Sequence, residues 1–365
     1  MVVHTRDMEE AAKRSPVPGP DLAGWTPANE HVLVARQGTL GRIRLNRPRA
    51  INALTLDMVT AMTAQLRRWA EEGTVRAVAL DGAGDRGMCA GGDVRAIRDS
   101  LLGSGGVEQA VQFWESEYTL DQLIAEAELP VAAFMDGVVM GGGIGLGGHA
   151  ALRLVTPRTR VAMPETGIGF FPDVGALHPL SRAPGELGTH LALTGASVTG
   201  SDAIAVGLAD AMIETGTWED MCAQWATGAP LVQPGEHALP EQHSDLTAQR
   251  PWIDTCFTGD DAATIEARLL ARPEPEAQQA AATLGSRCPF SVAVTLAAIR
   301  RAAELPAVAD VLEQDLRLGT AFMRGDAAED FIEGVRAVLV DRDHAPRWRH
   351  DSLAAIDRSE VLALF

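Results

Sequence analysis

Three short stretches carry residue types that could do chemistry: Cys89-Ala90-Gly91-Gly92-Asp93, Gly141-Gly142-Gly143, and a run from Met163 through Glu165 to Asp173 and Gly175. In the first two, glycine lets a ligand approach the main chain closely and leaves N–H groups able to point outward. One such loop can hold an anion. Two that face each other can form an oxyanion hole with one N–H from each. Taken singly, each is as readily a tight strand-to-helix turn. The third stretch sets Glu165 and Asp173 among Met, Ile and Phe. Carboxylates in such company are paired, capping or catalytic. A desolvated glutamate has a raised pKa and can act as acid, base or nucleophile. The blander readings make Glu165 a turn residue after Pro164 and Asp173 a cap after Pro172.

Other chemistries find less support. Gly143-Ile144-Gly145-Leu146-Gly147-Gly148 fits the spacing of a dinucleotide fingerprint. It sits mid-chain within a longer glycine run, however, and the next acidic residue, Glu165, follows a proline rather than ending a strand. No G-x-S-x-G is present, which argues against an α/β-hydrolase thioesterase. Cys89, Cys222, Cys256 and Cys288 show no metal-ligand spacing and read as reduced thiols, so no metal site is expected. The net charge of −18 disfavours nucleic acid and anionic membrane as partners. Lys13 is the only lysine, so phosphate groups must be met by arginine forks, backbone N–H groups or helix N-termini.

The elements that must position these loops alternate. Strands are expected at 31–36 and 41–45, a turn at Asn46–Arg49, and a helix capped by Thr55 running to about Glu72. A strand at 75–80 precedes the first glycine loop. A helix over 107–127 follows, then a strand at 131–135 before the second glycine loop. This is an α/β pattern with parallel pairing. The organisation expected is a flexible arm over 1–28, an α/β core over 29–215, an irregular connector over 216–250 broken by Pro230, Pro234 and Pro240, and a helical region over 251–365 packed on the core. The arm carries no secretory signal, and the expected location is cytoplasmic.

Together these features identify a family. The run Arg42-Ile-Arg-Leu-Asn-Arg-Pro-Arg-Ala-Ile-Asn-Ala-Leu54 resembles the opening signature of the crotonase (enoyl-CoA hydratase/isomerase) superfamily, and the two glycine loops resemble its oxyanion segments. Three further stretches are similar to the 3-hydroxyisobutyryl-CoA hydrolases: 162–175, Cys288–Ser291 with the helix after it, and 331–343 running on to Trp348. The resemblance implies a crotonase-like ββα spiral core with an all-helical C-terminal extension. It implies an oxyanion hole from the N–H groups of Gly92 and Gly142, and a catalytic pair in Glu165 and Asp173. Glu117 would contact substrate together with Gly142, Glu165 and Asp173. Arg47, Arg49, Ala50, Ala90 and Gly91 would lie along coenzyme A.

The expected reaction is hydrolysis of a short-chain 3-hydroxyacyl-CoA, 3-hydroxyisobutyryl-CoA in valine catabolism. It calls for no cofactor beyond the coenzyme A of the substrate. The partner is that small molecule, with a homo-oligomer left open. The hydratases of this superfamily carry a first glutamate two positions after the triple glycine. Here that position is Gly145, which disfavours water addition to a double bond. An enoyl-CoA hydratase or isomerase and an idle CoA-binding protein remain the alternatives.

Overall fold

Alternating side chains divide the central strands between two apolar layers, which is why they stack into one sheet covered on both faces. In β4 (Ala77–Gly82), Val78 and Leu80 face one layer while Ala77 and Ala79 face the other. In β5 (Val131–Met135), Ala133 and Met135 oppose Ala132 and Phe134 in the same way. The computed structural model describes residues 24–126, 129–232, 234–240 and 243–365. The remaining strands are β1 (Thr26–Asn29), β2 (Val32–Gln37), β3 (Leu40–Leu45), β6 (Val138–Met140), β7 (Leu152–Val155), β8 (Arg160–Ala162), β9 (Val198–Thr199) and β10 (Ala211–Met212).

A seven-stranded sheet runs in the order β1-β2-β3-β4-β5-β7-β10. Pairing is parallel from β3 to β10 and antiparallel at β1–β2 and β2–β3. A second sheet, β6-β8-β9, stands beside it. The arm expected over 1–28 lies outside the described residues up to 23, and Thr26 already belongs to β1.

Helix α1 (Leu56–Glu72) starts where the Thr55 side chain caps the Met58 N–H, and it ends on left-handed Gly73. It packs with α3 (Gly106–Ala125) over one face of the large sheet. Between them in sequence lies α2 (Val94–Leu102), capped by Asp93. The short helix α4 (Gly142–Gly148) follows β6.

The opposite sheet face is covered by α5 (Thr217–Ala226), at the start of the stretch expected to be irregular. Its buried Trp218, Met221, Cys222 and Trp225 have helical spacing, which the later prolines obscured. Trp218 stacks on Phe134 at 4.9 Å and donates to Asp81 at 2.9 Å. Buried Arg42 joins Asp81 to Glu219 of α5.

The C-terminal helices α6 (Pro289–Ala302), α7 (Val308–Arg324) and α8 (Ala327–Val335) fold back on the α/β body. Helix α7 lies against α3, and α8 against α2. All four cysteines are buried and unpaired. Among the described residues, no single helix is long and apolar enough to cross a membrane.

Candidate active site

The two glycine loops meet. Leu54 pairs in parallel with Gly92, receiving Gly91 O on its own N–H (2.8 Å) and giving its carbonyl to the Asp93 N–H (2.8 Å). In such a pairing the amide of Gly92 itself turns away from Leu54. Cys89 pairs in parallel with Val139, and the Met140 N–H donates to Cys89 O at 3.0 Å. The first loop is thereby laid along β6, just ahead of the second. Gly91 has φ +100°, and a Cβ there would lie 3.2 Å from Met140 O and 3.5 Å from Gly142 N. Gly142 is the first residue of α4, so its N–H has no acceptor within the helix.

Two carboxylates border this glycine corner. A Cβ on Gly141 would lie 2.9 Å from Glu165 Oε1, and a Cβ on Gly142 would lie 2.2 Å from Glu117 Oε1. A side chain at either position would have to displace one of these carboxylates. Glu165 opens a 3₁₀ turn after Pro164 and is only 8% exposed. Glu117 comes from the buried face of α3. One carboxylate oxygen of each has no hydrogen-bond partner.

Asp173 completes the group. Its Oδ2 accepts from the Tyr118 hydroxyl at 2.6 Å. Between Glu165 and Asp173 the chain is anchored by Phe170 and Phe171. Phe170 stacks on Trp114 of α3 at 5.0 Å and meets Phe322 and Phe331 of the C-terminal helices edge-on. Aromatic packing from both sides thus fixes the segment that joins the two carboxylates.

Among the described residues, no cation contributes to the electrostatics of these three carboxylates, and burial dominates. Desolvation raises Glu165 well above the ordinary glutamate range, and Asp173 and Glu117 add repulsion. Glu117 is raised for the same first reason, with Asp173 second. Asp173 is pushed up to about 6 by desolvation, although the hydrogen bond from Tyr118 pulls it down. A carboxylate poised near neutrality in a site like this can exchange protons or attack.

The residues expected along coenzyme A lie on one rim. Asn52 buries its side chain, accepts from the Arg47 N–H at 2.9 Å and donates to Met88 O at 3.0 Å. The Ala90 N–H donates to Ile51 O at 2.9 Å. Ala50, Ala90 and Gly91 are thereby brought to a common edge. Arg47 pairs with Asp93 at 2.8 Å, while Arg49 is exposed.

Sequence reasoning missed four contributors. Arg86 bonds to Pro48 O and adds a cation to the rim. Asp121, one turn beyond Glu117 on α3, is fully buried with neither carboxylate oxygen partnered. His149 lies 2.7 Å through Nε2 from Val174 O. Asp315 of α7 accepts from the Gly175 N–H at 2.8 Å. The Glu117–Asp121 spacing and an acid within the apolar stripe of α7 were the available signals.

Comparison with known proteins bears on this site. The chain is 36% identical to the mitochondrial 3-hydroxyisobutyryl-CoA hydrolase of Danio rerio, over 92% of this chain and 89% of that protein. It is 32% identical to the Homo sapiens protein of the same name, over 93% and 89%. Among solved structures, a carnitinyl-CoA dehydratase from Mycobacterium thermoresistibile superposes with a TM-score of 0.84 at 44% identity, covering 92% of this chain and 96% of that one. An enoyl-CoA hydratase from Rhodobacter sphaeroides 2.4.1 gives 0.86 at 36% identity, over 92% and 97%. Residues 40–365 match the enoyl-CoA hydratase/isomerase family, and the chain belongs to it.

Proposed function

We propose that the protein hydrolyses a short-chain 3-hydroxyacyl-CoA thioester, 3-hydroxyisobutyryl-CoA in valine breakdown, to the free acid and coenzyme A. The observation that carries this reading is the placement of Glu165 and Glu117 against the Gly141–Gly142 corner, with Asp173 alongside. The thioester oxygen sits between the N–H groups of Gly92 and Gly142. A donor of this kind typically lowers the barrier by about 3 kcal/mol. Glu165 then either attacks the carbonyl carbon, the C–S bond breaks to expel the coenzyme A thiolate and water cleaves the resulting anhydride to the free acid and Glu165, or it takes a proton from an attacking water and passes it to the departing sulfur. Asp173 accepts a hydrogen bond from the 3-hydroxyl, and Glu117 closes the acyl pocket. Arg47, Arg49, Ala50, Ala90 and Gly91 line the coenzyme A track. Carboxylates and amides supply this chemistry, so the reading calls for no cofactor.

The full-length relatives named as hydrolases support the reaction. A hydratase or dehydratase is the second reading, favoured by the names of the two solved structures. Against it stands Gly145, which supplies no carboxylate; a Cβ there would lie 2.7 Å from both carboxylate oxygens of Asp121, so a larger side chain would have to displace that group. Incubation of the purified protein with 3-hydroxyisobutyryl-CoA and, separately, with crotonyl-CoA decides between them. Thiol release from the first supports hydrolysis. Loss of the enoyl absorbance from the second, with no thiol released, sinks it. A cytoplasmic location remains a proposal, checked by cell fractionation.

A further inference from the structure

The Val174–Gly175 peptide, one residue beyond Asp173, is clamped at both ends by side chains from different parts of the fold. Val174 has φ +55°, a left-handed conformation that a β-branched residue adopts only under constraint. Its carbonyl is 2.7 Å from His149 Nε2, at the C-terminal end of α4. Burial keeps His149 neutral at physiological pH, with its pKa lowered to about 4, so the contact is made by an Nε2–H donor. The amide on the other side of the same peptide, Gly175 N–H, donates to Asp315 Oδ2 at 2.8 Å. Asp315 sits on α7 with no exposure to solvent, and its second oxygen is unpartnered. Gly175 is itself left-handed, and a Cβ there would meet His149 Nε2 at 2.9 Å and Val308 at 3.1 Å. The two clamps hold the backbone from which the Asp173 side chain projects, while the Tyr118 hydroxyl holds the end of its carboxyl at 2.6 Å.

We propose that Asp315 is a positioning residue: by holding the Gly175 N–H it aims the Asp173 carboxyl at the 3-hydroxyl of the acyl group, and so sets the preference for hydroxylated over unsubstituted short acyl chains. The inference rests on the function proposed for Asp173. It assigns the C-terminal helices a part in substrate choice beyond covering the core. A buried hydrogen-bonding site aimed at a hydroxyl rejects the analogue that lacks one, because its own polar group is then left unpaired. If the aim is lost, the discrimination is lost with it.

The test compares kcat/KM for 3-hydroxyisobutyryl-CoA and for isobutyryl-CoA in the full-length protein, with kcat and KM separated. Asp315→Asn keeps an oxygen acceptor of similar size and should hold the ratio within about twofold of the parent. Asp315→Leu has similar bulk and no acceptor, and should lower the ratio about tenfold or more, mostly through KM for the hydroxylated substrate. Asp173→Leu, which leaves no acceptor at that position, serves as the control for the underlying reading. If it leaves the ratio unchanged, Asp173 does not read the hydroxyl and the proposed role of Asp173 fails. If it lowers the ratio while Asp315→Leu does not, only the role of Asp315 is overturned. If Asp315→Leu does not fold, Asp315→Ala removes the acceptor with less bulk. Failure of both while the asparagine protein folds would overturn the proposal, since the residue would then be holding the fold and not the aim.

Discussion

Tyr118 and Asp173, 55 residues apart in the chain, meet through a 2.6 Å hydrogen bond inside the protein. The phenol donates, so it stabilises the charged form of the carboxylate against the desolvation that pushes Asp173 up to about 6. Protonation of Asp173 replaces a charged acceptor by a weaker neutral one and so loosens its hold on a substrate hydroxyl. The KM for 3-hydroxyisobutyryl-CoA should therefore rise as pH falls through about 6. Tyr118→Phe deletes the donor, raises the Asp173 pKa further and should move this limb to higher pH. Steady-state kinetics between pH 5 and pH 8 check both claims; an unmoved limb in the phenylalanine protein would break the link between the two residues.

Glu165 should carry the chemical step. Glu165→Gln preserves size but can neither attack a carbonyl nor take a proton. The expected outcome is a fall in kcat of about a hundredfold to ten-thousandfold, with binding of the CoA ester little changed. Because burial and the neighbouring Asp173 raise the Glu165 pKa, the parent enzyme's kcat should increase with pH as this carboxyl ionises. Calorimetric titration with a non-hydrolysable CoA thioether separates binding from turnover. A glutamine protein with parental kcat would remove Glu165 from the mechanism.

The glycine loops, Glu165 and Asp173 could be picked out from residue type and spacing, and Glu117 through the family resemblance. The glycine loops, Glu165, Asp173 and Glu117 all come to one place, and the alternating pattern gave the parallel sheet that delivers them. What stayed hidden depends on facing surfaces that lie far apart in sequence. Gly145 registered as a missing glutamate, whereas the Asp121 carboxyl, which stands beside its Cα from another helix, did not register at all. The stretch after Gly216 read as irregular because prolines dilute its pattern. The Trp218 and Trp225 side chains nevertheless find a partner face on the sheet, where Arg42 and Asp81 also meet. Asp315 looked like one acid among many until Gly175 was brought to it.

Asp121 should make stability depend on pH. It is fully buried, neither oxygen is partnered, and desolvation followed by repulsion from Glu117 raises its pKa well above the ordinary value. The folded state therefore holds a proton that the unfolded chain gives up above about pH 4. With more protons bound in the folded state, stability is fullest below the unfolded pKa and declines as pH rises toward the folded one. Asp121→Asn removes this titration. It should raise the melting temperature at pH 8 and change it little at pH 4.5. Melting curves for both proteins across that range give the answer. A parent curve whose stability climbs with pH to the same degree in both proteins would show that Asp121 is charged in the fold.

The C-terminal helices should not be separable from the α/β body. Phe322 and Phe331 pack on Phe170, which lies between the two candidate catalytic carboxylates. Gly169 and Gly334 have no room for a Cβ, because Asp330 O would lie 2.3 Å from the first and Ile168 C 2.4 Å from the second. The backbone of α8 therefore rests directly on the Glu165–Phe170 turn. The Cys288 N–H donates to Thr166 O at 3.0 Å, and Arg287 Nε donates to Thr194 O at 2.7 Å, so the residues leading into α6 are tied to the same turn and to the end of the helix Leu187–Thr194. Ending the chain at Glu214 would expose Phe170, Phe171, Val174 and Trp114 together, an apolar patch that soluble monomers avoid. It would also release the peptide that aims Asp173. We expect a 1–214 fragment to be insoluble or without thioesterase activity. Size-exclusion chromatography followed by a thiol-release assay tests this. A soluble, monodisperse fragment with full activity would mean that the C-terminal helices only decorate a core that is complete without them.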